Sequence, residues 1–434
     1  MTHTSTKPGS GTAQASAANQ PLRLKPVLNG IFRANPSYEL LSFDRLPAEQ
    51  QELFFSLKSD PNFYGVLRPR EGSQLPLKSA CRDTALLFLS LQEAGRLPSF
   101  VASAPELNAN YDIAALVLDG VLEIEHEKEM LHGAAALSVI CESPESANVG
   151  GELARLSREA LLYAQTLPFH DASSIAARLY AYGRIPSTII WQRDFPDELA
   201  IRRCLGVHDD GKNSASLASH WIELPADHEN DGWIFWRRRL TSLERRTETY
   251  KLYLSPHPLF LGEAFDALVA DVDSSGALAF KVGRNLAGTL RPDKIIAYFS
   301  RFDQVQNTAQ RILERLDGCP AQGVPFTAQI ERPLVSWGID PPEENDMPAW
   351  LARQSWRLWV VNHLAVSLLT ARNAPAGSVE PWRFAVDRLS LEGVDTSTWT
   401  PIRKEETNAR SRCSTRRRTD CAFDGASRVG SRAT

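Results

Sequence analysis

The sequence has few of the features that usually announce a function. Its six cysteines, Cys81, Cys141, Cys204, Cys319, Cys413 and Cys421, are scattered over 434 residues with no CxxC pair. Neither a disulfide framework nor a zinc ribbon is therefore encoded, and isolated thiols of this kind fit a reducing compartment. No apolar run approaches the roughly 18 residues that cross a bilayer, because the most apolar stretch, residues 358–369, is broken by Asn362 and His363. The net charge is only −4, so there is no general electrostatic attraction to nucleic acid or to an anionic membrane, and neither is expected as a partner. Gly-rich phosphate loops, dinucleotide fingerprints and G-x-S-x-G elbows are missing. His208, His220, His228 and His257 have no zinc-site spacing with a cysteine, so no metal and no cofactor is expected. No repeat occurs at solenoid or propeller periods.

What is present is a globular composition. A hydrophobic fraction of 43%, a charged fraction of 23% and ten tryptophans allow a sizeable core, and the length suits two domains. Residues 1–20 are rich in Ser, Thr, Ala and Gly and lack the basic start and apolar segment of a secretory signal; they are expected to be a disordered tail. Residues 403–434 carry nine Lys and Arg against four Asp and Glu with almost no apolar side chains, and a second, basic disordered tail is expected there.

Between the tails the periodicity changes once. Residues 21–208 read as a mainly helical domain, with a buried, apolar helix at 78–94, a break at Asp119-Gly120, and amphipathic helices at 152–166 and 172–182. The polar stretch 209–230 then separates this part from residues 231–402. In 249–255, Tyr250, Leu252 and Leu254 alternate with Lys251, Tyr253 and Ser255, the signature of a strand with one polar face. A helix at 260–272, strands at 278–282 and 295–299 and a helix at 303–316 follow. The expected fold is α+β, with a mostly helical N-terminal half and a C-terminal mixed-sheet domain whose helices lie on one face. Trp337 to Pro342 reads as a tight aromatic turn, and Trp350, Trp356 and Trp359 as core residues at helical spacing.

The strand alternation has a chemical consequence. Lys251 and Tyr253 point to one face, and Lys281 sits between Phe280 and Val282 on another strand of what can be the same sheet. Arg284, Arg291, Lys294 and Tyr298 follow, and the aromatic-basic segment 233–239 lies just upstream. A cleft lined this way suits a phosphate or other dianion, which Arg binds bidentately and Lys meets as a point charge. The same residues also fit a solvated, cationic sheet face.

The stretch from about Tyr250 to Ala371 resembles the phosphothreonine lyase group. That group includes bacterial effectors that remove phosphate from phosphothreonine by β-elimination, and the lyase components of lanthipeptide and thioamitide pathways. The chain is in particular similar to the phosphothreonine lyase-like type A effector family of plant pathogens. The resemblance covers under a third of the chain. It rests on Lys251-Leu252-Tyr253, on Phe280-Lys281-Val282 about thirty residues later, on Arg291, Asp293, Tyr298 and Phe299, and on Ser355-Trp356-Arg357 at the start of a late helix. It implies Lys281 as the base that removes the α-proton and Lys251, Arg291 and Arg357 as holding the phosphate; with Tyr253 beside Lys281, and with Lys294 and Tyr298 from the cationic loop and strand on the phosphate side, these are the candidate site residues. The founding enzymes carry a histidine acid in K-x-H, where this chain has Tyr253.

On that resemblance the expected activity is a metal-independent carbon–oxygen lyase acting on phosphoserine or phosphothreonine in a peptide or protein, with a partner kinase as one source of the phosphate. The expected location is cytoplasmic, although Ser-rich N-termini also occur on secreted effectors. The other reading is a non-catalytic module that binds phosphorylated or acidic peptide through the same cations.

Overall fold

The computed structural model describes residues 23–402 apart from 74, 103–105, 143–149, 227–231, 240–248, 342–354, 373 and 376–377. Both terminal tails and Trp350 lie outside the described residues. The fold is α+β. Among the described residues no helix is long and apolar enough to cross a membrane.

The first 140 residues carry two three-stranded sheets besides helices. One pairs Phe32–Ala34, Leu122–His126 and Glu129–Leu131, and the other pairs Tyr38–Leu41, Phe63–Pro69 and Lys78–Cys81. Two helices follow, α1 (Gly151–Ala164) and α2 (Ala172–Ala181). Asp171 caps α2 by accepting a hydrogen bond from the Ser174 amide, which satisfies one of the free donors of the first turn.

The polar stretch after residue 208 is folded. It contains the helix Ser214–His220 and the first strand of a seven-stranded sheet, β1 (Trp221–Leu224). The other strands are β2 (Trp233–Arg238), β3 (Tyr250–Leu254), β4 (Ala279–Gly283), β5 (Ile295–Phe299), β6 (Ala328–Ile330) and β7 (Arg332–Ile339). The spatial order is β6-β7-β3-β5-β4-β2-β1. Each pairing is antiparallel, so the sheet is not mixed as the sequence led us to expect. The cause is the crossover. Helix α3 (Leu261–Val272) joins β3 to β4 with both strands running the same way and one position left open between them. The returning strand β5 fills that position antiparallel to both neighbours, giving a split βαβ unit.

Helix α3 and helix α4 (Phe302–Arg315) cover one face of the sheet, and with it they enclose the largest core. Val305, Ala309, Ile312 and Leu313 of α4 recur at helical spacing and are buried, while Gln310 and Glu314 pair on the outside. From the sheet come Leu252, Leu254, Phe280, Val282, Ile295, Ala297 and Phe299. Phe280 is fully buried and stacks on Trp236 at 5.0 Å; burial of such a ring contributes about 1.5–3 kcal/mol. Because alternate residues of these strands are committed to this core, the residues between them face the other way.

That other face is closed in part by helices from outside the sheet. Helices α5 (Trp356–Arg372) and α6 (Pro381–Leu391) share a core with α1 and α2, built on Leu161, Ile175, Leu179, Val360, Leu364, Leu368 and Leu389. Trp356 and Trp359 are buried in it. Trp337 and Gly338 belong to β7 rather than to a turn, where alternating side chains fit the pleat.

Candidate functional site

Strand register brings the chemistry-bearing residues together. Across the sheet Tyr253 pairs with Ile296, Ile296 with Lys281, and Lys281 with Phe235, so the four form one row on the face opposite the core. In the next row Lys251 pairs with Tyr298 and Tyr298 with Ala279. Lys281 and Tyr253 are two strands apart, about 10 Å between Cα atoms, a gap that two long side chains can span from either side of one substrate group.

The loop after β4 delivers Arg291. Gly283 and Gly288 touch backbone to backbone, and a Cβ on Gly283 would lie 2.4 Å from the Gly288 carbonyl carbon; only glycine fits. Asn285 accepts from the Gly288 amide at 2.8 Å and caps the single turn that follows. Arg291 then donates through Nε and Nη2 to the two oxygens of Asp293 at 2.8 and 2.9 Å, in bidentate geometry. Its guanidinium lies 4.7 Å from the centre of the Trp233 ring, and the Lys281 amine lies 4.3 Å from the same ring. Trp233 is thus the floor that holds two cations close together through its negative ring face.

Asp293 is the hub. It is 1% exposed, accepts from the Tyr180 hydroxyl at 3.1 Å, and pairs with Arg357 Nη1 at 2.9 Å. Burial works to raise the Asp293 carboxyl, but Arg291 and Arg357 overcome it and hold the group well below the usual carboxylate range. Asp293 is therefore a fixed negative charge. Arg357 is fully buried, and its other nitrogens donate to the Pro325 carbonyl at 3.1 Å and the Tyr180 carbonyl at 2.9 Å. Nη1 meets Asp293 as an ion pair without a well-aligned hydrogen bond, and the whole side chain is buried, so Arg357 acts on this site through Asp293. Arg291 differs: its Nη1 has no hydrogen-bond partner among the described residues, and its side chain is 22% exposed.

Lys281 is the most unusual of these groups. No hydrogen-bond acceptor or carboxylate among the described residues partners its amine. Burial lowers its pKa from 10.5 to about 8, Arg291 and Lys251 push in the same direction, and Asp293 opposes them. Lys251, by contrast, pairs with Asp340. The hydroxyls of Tyr253 and Tyr298 also lack hydrogen-bond partners among the described residues. Burial raises both phenols, well above the ordinary value for Tyr253, so both are protonated at neutral pH.

The remaining residues singled out in the sequence lie elsewhere or are otherwise occupied. Lys294 is 0% exposed, and its amine donates to the Pro256 carbonyl at 2.6 Å and to Gln322. Burial lowers its pKa to about 7, but no donor of Lys294 faces open space. Arg284 donates to the Trp233 carbonyl at 3.0 Å and supports the floor from behind. His257 caps a short turn and packs against Trp191 at 5.8 Å. Sequence reasoning missed Tyr180 and Asp340 as working parts, and it took Asp293 as part of a motif without giving it a role. Tyr180 lies over a hundred residues before Asp293 and carries no local signal, whereas Asp293 is visible two residues after Arg291.

The assembled group holds one lysine amine tuned to titrate near neutrality, an arginine with a free donor, two protonated phenols and an aromatic floor. It can bind an oxyanion and remove a nearby proton.

No protein-family model and no curated protein matches the sequence. Among solved structures, the chain is similar to the effector protein from Pseudomonas syringae pv. tomato strain DC3000, with 12% identity over 57% of this chain and 98% of that chain at a TM-score of 0.35. It is also similar to the effector protein from Pseudomonas syringae pv. syringae strain 61, with 13% identity over 58% of this chain and 99% of that one at a TM-score of 0.34. A phosphothreonine lyase structure matches with 13% identity over 48% of this chain and 98% of that one, at a TM-score of 0.25. At these scores the chemistry has to be argued from the residues of this chain.

Proposed function

We propose that this chain is a metal-independent carbon–oxygen lyase that eliminates phosphate from phosphoserine or phosphothreonine in a peptide or protein. One observation carries the reading: the unpartnered Lys281 amine, with its pKa lowered to about 8, stands beside an arginine with a free donor. A binding site for phosphate needs charged lysines. A site that must also remove a carbon-bound proton needs one amine that can be neutral.

The reaction balances over these groups. Neutral Lys281 takes the proton from Cα, the Cα–H electrons become the Cα=Cβ double bond, and the Cβ–O bond breaks with its electrons leaving on phosphate. Arg291 and Lys251 face the charge that builds on the leaving oxygens, where a fixed donor contributes on the order of 3 kcal/mol. Tyr253 donates a proton to the bridging oxygen and regains one as Lys281 returns to its neutral form, with Tyr298 beside Lys251. Arg357 and Asp293 hold Arg291 in one orientation, and Lys294 serves the surrounding scaffold. The products are a dehydro residue and inorganic phosphate. A precursor peptide under maturation and a target protein of an effector both present the required group.

A second reading, a non-catalytic module for phosphorylated or acidic peptide, is favoured by the burial that raises Tyr253 and weakens it as an acid. Mass spectrometry of a phosphothreonine peptide incubated with the protein separates the two. Loss of phosphoric acid that leaves a dehydro residue supports the lyase. Binding with no product supports the module, and threonine as product would mean a phosphatase. Lys281→Ala should abolish the dehydro product while the protein stays folded.

A further inference from the structure

We propose that Arg184, contributed by the chain just after α2, is a binding residue for the substrate's phosphate, standing at the mouth of the site. The inference rests on the preceding reading of the site as one for a phosphorylated residue.

Helix α2 supplies Tyr180 to the hub at Asp293, and the chain then turns at Gly183, whose φ of +81° suits glycine. The next residues are stitched to the loop that carries Arg291. The Ile185 amide donates to the Leu290 carbonyl at 3.1 Å. Gln322 bridges the same two segments, donating through Nε2 to the Gly183 carbonyl at 2.7 Å and the Leu290 carbonyl at 3.0 Å. Lys294 in turn donates to Gln322. Arg184 is thus held between two anchored neighbours, next to the residue that precedes Arg291.

Its side chain is not used by the fold. Arg184 is exposed, and no carboxylate among the described residues lies within ion-pairing distance. Partial burial and the nearby Arg291 guanidinium work against its charge, and Asp293 works for it. An arginine kept beside another arginine, with no acid of its own, is electrostatically unfavourable in the empty protein. A dianion shared between the two reverses that sign. The Ile185–Leu290 bond and the bridge through Gln322 and Lys294 hold the two segments together against that repulsion.

The test compares Arg184→Ala, Arg184→Glu and Arg184→Lys with the wild type. For a dianion roughly 8 Å from the lost charge in water-like surroundings, KM for a phosphothreonine peptide should rise about fivefold with Ala and roughly thirtyfold with Glu, with kcat unchanged. Lys should recover most of the loss, and 1 M salt should erase the differences, because the Debye length is then about 3 Å. The melting temperature should not fall, and relief of the repulsion with Arg291 should raise it slightly. The affinity of inorganic phosphate, read by calorimetry, should fall in the same order. Unchanged KM and phosphate affinity in Arg184→Ala, a loss confined to kcat, or a melting temperature lowered by several degrees would each overturn the assignment. If the wild type binds phosphate yet eliminates nothing, the lyase reading fails while the phosphate measurement still decides Arg184.

Discussion

The titration of Lys281 is the sharpest test of the chemistry. A lysine at 10.5 is neutral to only about 0.03% at pH 7, whereas one at about 8 is neutral to about 9%, a gain of about 300-fold in the form that can accept a proton. The log of kcat/KM for elimination should therefore climb with unit slope from pH 6 and level off near pH 8. Arg291→Ala removes a cation that lowers the Lys281 pKa and leaves Asp293, which raises it, less compensated. The break in the profile of that variant should move to higher pH, on top of weaker binding. A check independent of activity is the rate at which acetic anhydride labels Lys281, followed against pH by peptide mapping. Labelling that inflects near 10.5, or a profile flat from pH 6 to 9, would refute the assignment of Lys281 as base.

Three further outcomes follow from the same geometry. Because the folded pKa of Lys281 lies below its unfolded value, the native state binds fewer protons between about pH 8 and 10.5. Its cost to stability is fully present below pH 8 and disappears as pH rises through that window, so Lys281→Met should raise the melting temperature at pH 7 and lose its advantage by pH 10.5. Asp293→Asn strands Arg291 and the fully buried Arg357, and chemical denaturation should show a loss of about 3–5 kcal/mol; a neutral effect would mean that the cluster is not held by charge. Tyr253→Phe removes a hydroxyl with no partner among the described residues, so the melting temperature should stay put while kcat falls roughly a hundredfold if Tyr253 is the acid.

The sheet was legible where one of its faces is polar. Tyr250–Leu254 appears within a residue or two of where its alternation put it, and Ile295–Phe299, α3 and α4 fall equally close to their expected bounds. Two strands of the sheet were missed. Trp233–Arg238 looked like a mere aromatic-basic segment, and Trp221–Leu224 was hidden in a polar stretch taken for a boundary. The segment 78–94 read as one buried helix, but it is a strand, Lys78–Cys81, followed by a helix, Arg82–Ser90, with Leu86 and Leu89 about half exposed. The junction falls in the mostly polar residues 78–84, where a four-residue strand is too short to show a period of its own.

The site shows a different limit. Period-2 alternation states which face a side chain takes, and register then states its neighbours; that is enough to bring Lys251, Tyr253, Lys281 and Tyr298 onto one face. It says nothing about which cations are already matched by acids. Arg291, Arg357 and Lys294 look alike in the sequence, yet one has a donor to spare, one is locked to Asp293 and two carbonyls, and one is sealed against Pro256 and Gln322. The difference is set in part by Tyr180, whose bond to Asp293 exists only with the helical part docked, and by Gln322, which holds Lys294 and Leu290 within the sheet region and ties them to Gly183 of the helical part. Removing either should therefore loosen the site while leaving the sheet's own core, which contains neither residue, to fold as before. The candidate site is consequently assembled from distant parts of the chain. It arises where α2, α5 and the 284–294 loop meet the polar face of the sheet.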